Sequence, residues 1–327
     1  MGFRLELLGL LVLLSSPLAT LAAPAPADAY PTRAVTLIVP YPPGGSTDAM
    51  ARVLVPLLSE HLGQPVRIEN RGGASGAVGS SHAARQPADG YTILLGTDAT
   101  HAANVHLSRD YPYHPIDDFT PLTLAAINVL VLVVHPSLPV KNVTELIAHA
   151  RANAAQPLRF ASSGAGSPHH LAGELLAQRG GIRLEHMAYK GGGPAVADVL
   201  SGQIPMLFAS AASVMPHLQA GTLRAIAVTD AQRFAGLPDV PTLSETLPGL
   251  EMTSWLAFFG PPKLPDAIIR RLHAALVTAL RAPEVRAKLE TQGLRVVAGS
   301  PQQLAEAVRR DYTQRQQLID KLGLTVR

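Results

Sequence analysis

At 327 residues the chain is long enough for about two domains. Hydrophobic residues make up 47% and charged residues 16%, a balance that buries well-packed cores and excludes a disordered chain. A net charge of +3, with Lys and Arg scattered, excludes a nucleic-acid-binding surface, and the lack of cysteine excludes disulfides, thiolate metal sites, thiol nucleophiles and lipid attachment at an N-terminal Cys.

Arg4 precedes the apolar stretch Leu7 to Leu14 and the small-residue segment Ala19 to Ala29. The segment holds Ala27-Asp28-Ala29, an A-x-A site, and the looser Thr20-Leu21-Ala22. A positive start, a short apolar run and such a site describe a secretory signal peptide over residues 1–29, cut between residues 22 and 29. The apolar run is shorter than the roughly 20 residues that a membrane span needs. The mature chain is therefore expected in the periplasm, soluble and without a lipid anchor.

Beyond it, strands and helices alternate. Val35 to Val39 reads as a strand covered on both faces. Gly44-Gly45-Ser46-Thr47-Asp48 opens a helix whose apolar face carries Met50, Leu54, Leu58 and Leu62, with Gly63 as its stop. Pro56 lies inside and is expected to kink that helix or remove a hydrogen bond. Val66 to Glu69 and Thr92 to Leu95 read as strands, and Ala125 to Val134 as a further apolar segment of strand length. A second series follows: strands around Phe160, Leu184 to Ala188, Met206 to Ala209 and Ala225 to Val228, with helices from near His169, Pro194 and Val214. Trp255 to Phe259 is strand-like, and Ser300-Pro301-Gln302-Gln303 is a capping box that starts a last helix. Repeated strand–helix units predict an α/β fold with mostly parallel sheets.

Three turns are suited to an anion. Pro43 to Asp48, Ser162 to Pro168 and Tyr189 to Pro194 each place glycines, hydroxyls and free amides at a helix start. A helix N-terminus carries about half a positive charge, and its unpaired amides face whatever lies above it. No lysine of a phosphate-binding loop follows Gly45, so a carboxylate fits better than a phosphate. Turns of this kind in two separate α/β series predict two lobes closing on one ligand. Enzyme signatures are missing: there is no H-E-x-x-H, G-x-S-x-G or G-x-G-x-x-G. His169 and His170 are neighbours, so they project to different sides of a helix and cannot hold one metal together. No catalytic residue, metal or cofactor is expected. Trp255 reads as core.

Several stretches, in order, resemble the substrate-binding proteins of tripartite tricarboxylate transporters, the Bug (TctC) family. They are Ile38-Val39-Pro40-Tyr41-Pro42-Pro43-Gly44-Gly45-Ser46-Thr47-Asp48, Glu69-Asn70-Arg71-Gly72-Gly73-Ala74-Ser75-Gly76, Ala88-Asp89-Gly90-Tyr91-Thr92, Asp118-Phe119-Thr120-Pro121, Tyr189-Lys190-Gly191-Gly192-Gly193-Pro194-Ala195 and Gly221 to Thr229. The resemblance implies a type II periplasmic-binding-protein fold, two Rossmann-like α/β lobes joined by two crossing segments. Lobe one would hold residues 30–127 and 253–327, and lobe two the inserted 128–252. It implies a grip on the ligand carboxylate by Tyr41, Gly44, Gly45, Ser46, Thr47, Asp48 and Thr97 of lobe one. Ser163, Ser167, His170, Tyr189, Lys190 and Gly191 would approach from lobe two. Ala209 stands where many relatives carry Asp, which favours a carboxylate without an amino group. The implied role is capture of a small carboxylate, as a monomer, for the large and small membrane subunits of a transporter. A sensing module signalling to a membrane histidine kinase is the alternative on the same fold.

Overall fold

The computed structural model describes residues 30–108 and 110–324. The expected leader, residues 1–29, lies outside them. The chain opens with β1 (Val35–Val39), α1 (Ser46–Leu62), β2 (Val66–Asn70), α2 (Ala77–Ala84), β3 (Thr92–Thr97) and β4 (Thr120–Asn128). Next come β5 (Leu130–Val134), α3 (Val143–Ala152), β6 (Leu158–Ser162), α4 (Pro168–Gly180), β7 (Leu184–Ala188), α5 (Gly192–Leu200), β8 (Met206–Ser210), α6 (Ala211–Gln219), β9 (Arg224–Val228) and α7 (Leu243–Thr246). The last part is β10 (Ser254–Gly260), α8 (Asp266–Arg281), α9 (Pro283–Thr291), β11 (Leu294–Val296) and α10 (Pro301–Leu322).

These strands form two sheets, in the orders β11-β4-β10-β3-β1-β2 and β7-β6-β8-β5-β9. β1 pairs in parallel with β2 and β3, and β6 with β7 and β8, as strand–helix–strand units require. β10 pairs antiparallel with β3 and β4, and β5 antiparallel with β8 and β9. The chain leaves the first sheet at Asn128 and enters the second at Leu130, with Val129 between them. It returns between Thr229 and Ser254, where the Met252 amide donates to the Thr229 carbonyl at 3.0 Å. Residues 125–134, read from sequence as one segment, are thus two strands in different sheets. Within residues 125–134 Asn128 is the one polar residue, and it stands at the crossing.

The period of two residues in a strand divides each sheet between two cores. In β1, Val35, Leu37 and Val39 pack against Met50, Leu54 and Leu58 of α1 and Leu272 and Leu276 of α8. Ile38 faces the other way, with Trp255, Phe259, Leu304 and Val308. In the second sheet Leu130, Leu132 and Val134 meet the α3–α4 side, and Val131 and Val133 the α5–α6 side. Ile319, near the end of α10, packs into the core of the second sheet, so the last helix bridges both units.

α1 runs unbroken through Pro56. Pro56 is exposed, so the carbonyl of Arg52 that loses its bond can turn to water. The capping box at Ser300 and Gln303 is present, and Ser300 accepts from the Gln303 amide. Trp255 is buried and donates to Asp311 Oδ2 at 2.6 Å.

Candidate functional site

The carboxyl ends of β1, β3 and β8 meet the two crossings in a cleft between the sheets. Open α/β sheets take ligands at this end of their strands. Four helices, α1, α4, α5 and α6, start there, at Ser46, Pro168, Gly192 and Ala211. Three of them, α1, α5 and α6, lack a side-chain cap; α4 is capped by Ser167. Uncapped first-turn amides are unpaired donors, and the helix dipoles add positive potential at the same place. Among the described residues, no Lys or Arg lines this cleft, and Asp98 is its one carboxylate. Backbone and hydroxyl donors therefore supply the positive potential. No group of His, Asp and Glu among the described residues is arranged to hold a metal ion.

Six residues expected at the site line the cleft: Tyr41, Gly45, Ser46, Thr47, Thr97 and Ser163. Tyr41 and Thr97 share a hydrogen bond at 3.1 Å across the ends of β1 and β3. Burial raises the Tyr41 phenol far above its ordinary pKa, so it stays a neutral hydrogen-bonding group. Gly45 is the N-cap of α1, with φ −91° and ψ 175°, an ordinary extended conformation. The left-handed residue is its neighbour Gly44, at φ +92°.

The other expected residues build the walls without lining the cleft. The Gly44 amide donates to Asp48 Oδ2 at 3.1 Å. Asp48 also accepts from Arg52 Nε at 2.8 Å and from Asn70 Nδ2 at 3.2 Å. Burial pushes the Asp48 carboxyl up, but these donors outweigh it and hold the group below its ordinary value. Asp48 is thus an anion that folds the turn, leaving the next amides free. Ser167 is spent as the α4 cap, accepting from the His170 amide at 3.2 Å. His170 turns away from the cleft, its ring stacked on His186 at 3.8 Å and its Nδ1 accepting from the Gly166 amide at 3.1 Å. Tyr189 donates to Asp198 at 2.6 Å, Lys190 is exposed, and Gly191 caps α5 against the ring of Pro42.

The structure adds residues that the sequence reading did not place at the ligand site. His169 lines the cleft, with Nδ1 2.7 Å from Ser163 Oγ and Nε2 3.4 Å from Ser210 Oγ. Burial pulls its pKa down to about 4, so the ring is neutral near pH 7. Asn128 and Ser254 come from the crossings, and Ser210 from the end of β8. Asp98 Oδ1 accepts from Ser254 Oγ at 2.7 Å, and Asp98 Oδ2 lies 3.4 Å from Arg315 Nη2. Burial raises the Asp98 carboxyl to about 6 against the opposing pull of Arg315 and Ser254. The one legible signal was polarity out of place: Asn128 interrupts an apolar run, and Ser210 follows directly on Phe208-Ala209.

The two units meet over this cleft. Ser210 Oγ donates to Ser46 Oγ at 3.2 Å across it. Gly44 and Gly45 face Gly192 and Gly193: a β-carbon on Gly193 would stand 2.7 Å from the Pro43 carbonyl oxygen. The free space left is about 40 Å³, room for a few water molecules. A larger cavity of about 620 Å³ lies beyond Ser75, lined by Val78, Leu107 and Tyr111 together with His82, Arg85 and Asp110. The α1 turn and the α5 and α6 starts do not reach it.

A model of the tripartite tricarboxylate transporter family receptor, TctC, matches residues 50–324. Solved structures of similar proteins cover nearly the whole chain. The periplasmic binding protein BugD is 30% identical, with a TM-score of 0.87 over 90% of this chain and 99% of its own. R. palustris Rpa4515 with adipate is 36% identical, with a TM-score of 0.88 over 90% and 99%. MatC (Rpa3494) from Rhodopseudomonas palustris with bound malate is 30% identical, with a TM-score of 0.84 over 89% and 100%. The two-sheet α/β architecture is that of the type II periplasmic binding proteins, as the sequence resemblance implied. The chain belongs to the tripartite tricarboxylate transporter receptor family, a family of substrate-binding receptors and not of enzymes.

Proposed function

We propose that this chain captures a small carboxylate in the periplasm, by closure of two lobes, and delivers it to the large and small membrane subunits of a tripartite tricarboxylate-type transporter. The observation that carries this is the convergence of uncapped helix starts on a cleft without Lys or Arg. Such a cleft holds a carboxylate by amides of Gly45, Ser46 and Thr47 and by the hydroxyls around them. The adipate and malate held by two solved relatives are ligands of the same chemistry. The lobes would comprise residues 30–127 with 253–327, and 128–252, with the crossings as hinge. The protein acts as a monomer, exported by the leader over residues 1–29 and released without a lipid anchor.

Native mass spectrometry of exported protein, purified gently, tests the capture and the export together. The expected spectrum shows a chain beginning between Ala23 and Tyr30 and carrying the added mass of a small carboxylic acid. A chain that kept Met1 to Ala22 would refute the export reading. Retention of a sugar or a metal ion in place of an acid would refute the ligand reading.

A further inference from the structure

The floor of the cleft contains a polar atom without a partner. Asn128 ends β4 where the chain crosses between sheets, and it is only 2% exposed. Its Nδ2 donates to Ser210 Oγ at 2.8 Å. Its Oδ1 is buried with no hydrogen-bond partner among the described residues, while the residue lines the cleft. A buried carbonyl oxygen stripped of water and left unpaired is costly, so such an atom on a residue that lines a binding cleft points to a group that arrives with the ligand.

The position of the atom limits that group. Ser210 Oγ, which accepts from Asn128, donates to Ser46 Oγ at the first residue of α1. The Asn128 amide group is therefore tied through Ser210 to the hydroxyl of the first residue of α1, and it lines the same cleft as the amides that would hold the carboxylate. The surrounding polar groups are already engaged: Asp98 with Ser254 and Arg315, and His169 with Ser163 and Ser210. An acceptor next to an anion site requires a donor on the ligand close to its carboxylate.

We infer that the ligand is a hydroxycarboxylate, with its hydroxyl on one of the two carbons nearest the carboxylate, and that Asn128 Oδ1 accepts from this hydroxyl. The inference rests on the carboxylate reading and narrows it. A hydroxyl suits the floor better than an ammonium group. An ammonium here would be buried without a free counter-charge, because Asp98, the one carboxylate lining the cleft among the described residues, is paired with Arg315. A hydroxyl also both donates and accepts, so it satisfies either orientation of the Asn128 amide.

The test is a set of calorimetric affinities within matched groups: succinate, malate and aspartate; glutarate and 2-hydroxyglutarate; propanoate and lactate. In the parent protein, the hydroxy acid of the best-binding group is expected to bind at least about tenfold more tightly than its plain counterpart, as sites built around a substrate hydroxyl discriminate strongly. In Asn128→Ala, that ratio should collapse to within about threefold, the loss of the one hydrogen bond. Equal affinity for plain and hydroxylated acids in the parent overturns the inference without needing any variant. So does a preference that survives in folded Asn128→Ala. Tighter binding of aspartate than malate assigns the floor to an ammonium and overturns it too. If no carboxylate binds, the underlying reading fails and this inference fails with it, a result distinct from equal binding.

Discussion

His169 and His170 show how one residue step decides a role. A helix turns by about 100° per residue, so one ring enters the cleft and the other stacks on His186. His169 has a linked consequence for stability. Burial depresses its folded pKa to about 4, below the ordinary value of 6.5. The folded state resists protonation that the unfolded chain accepts. The stability due to the neutral ring is complete above pH 6.5 and declines as pH falls toward 4. Between pH 7 and pH 5 this loss is about 2 kcal/mol. Urea unfolding of the parent and of His169→Gln at both values isolates it. The variant should lose about 2 kcal/mol less than the parent on acidification. Equal pH dependence in the two proteins would show that the ring is already protonated or solvated in the fold.

At the scale of elements, the site is a set of helix starts, and only part of it could be read from sequence. The α1 turn was legible because its parts are contiguous: an apolar strand, two glycines, two hydroxyl residues, then helical periodicity. Its inner division of labour was not legible. Whether Asp48 faces the ligand or ties back to Gly44, Arg52 and Asn70 depends on Asn70 arriving from β2. Asn128 and Ser210 were missed because they stand 82 residues apart on strands of different sheets and meet only where the two sheets adjoin at the crossing. The apposed glycines of α1 and α5 carry a prediction of their own. Gly193→Ala adds a methyl that would lie 2.7 Å from the Pro43 carbonyl oxygen across the seam between the two units. Overpacking of this kind costs about 1–3 kcal/mol. Ligand affinity should therefore fall by about tenfold, while unliganded protein, whose lobes part under the proposed closure, should keep its melting temperature. Calorimetry with the best-binding carboxylate checks it, and undiminished affinity would remove these glycines from the closing contact.

For the whole molecule, the important groups are those that join the two units. Arg315 reaches from α10 to the return crossing, donating to the Thr253 carbonyl at 2.7 Å and facing Asp98 at the base of the cleft. Arg315→Met keeps the apolar stem and removes the charge, leaving Asp98 buried with only Ser254 and the Trp255 backbone as partners. Breaking a buried pair in this way costs about 3–5 kcal/mol. The sign of its pH dependence follows from Asp98, whose carboxyl burial already raises to about 6. A raised folded pKa means that stability is lost as pH rises through that value. The variant should be hurt more at pH 8 than at pH 5, where the unpaired carboxyl can stay protonated. Denaturant midpoints at the two values check this, and a deficit independent of pH would place the cost in lost packing.

The receptor reading as a whole is tested most directly by a melting screen of the parent and Gly45→Val against mono-, di- and tricarboxylates, with sugars and cations as controls. The Gly45 β-carbon position lies 3.9 Å from the Gly192 amide nitrogen, so the valine methyls would enter the seam beside the amides proposed to bind the carboxylate. One class of small carboxylate should stabilise the parent by about 2.7 kcal/mol at 100 times its dissociation constant. The shift should persist in EDTA and be absent from folded Gly45→Val. A screen flat across carboxylates, a response to sugars or cations instead, or an equal shift in Gly45→Val would contradict the account.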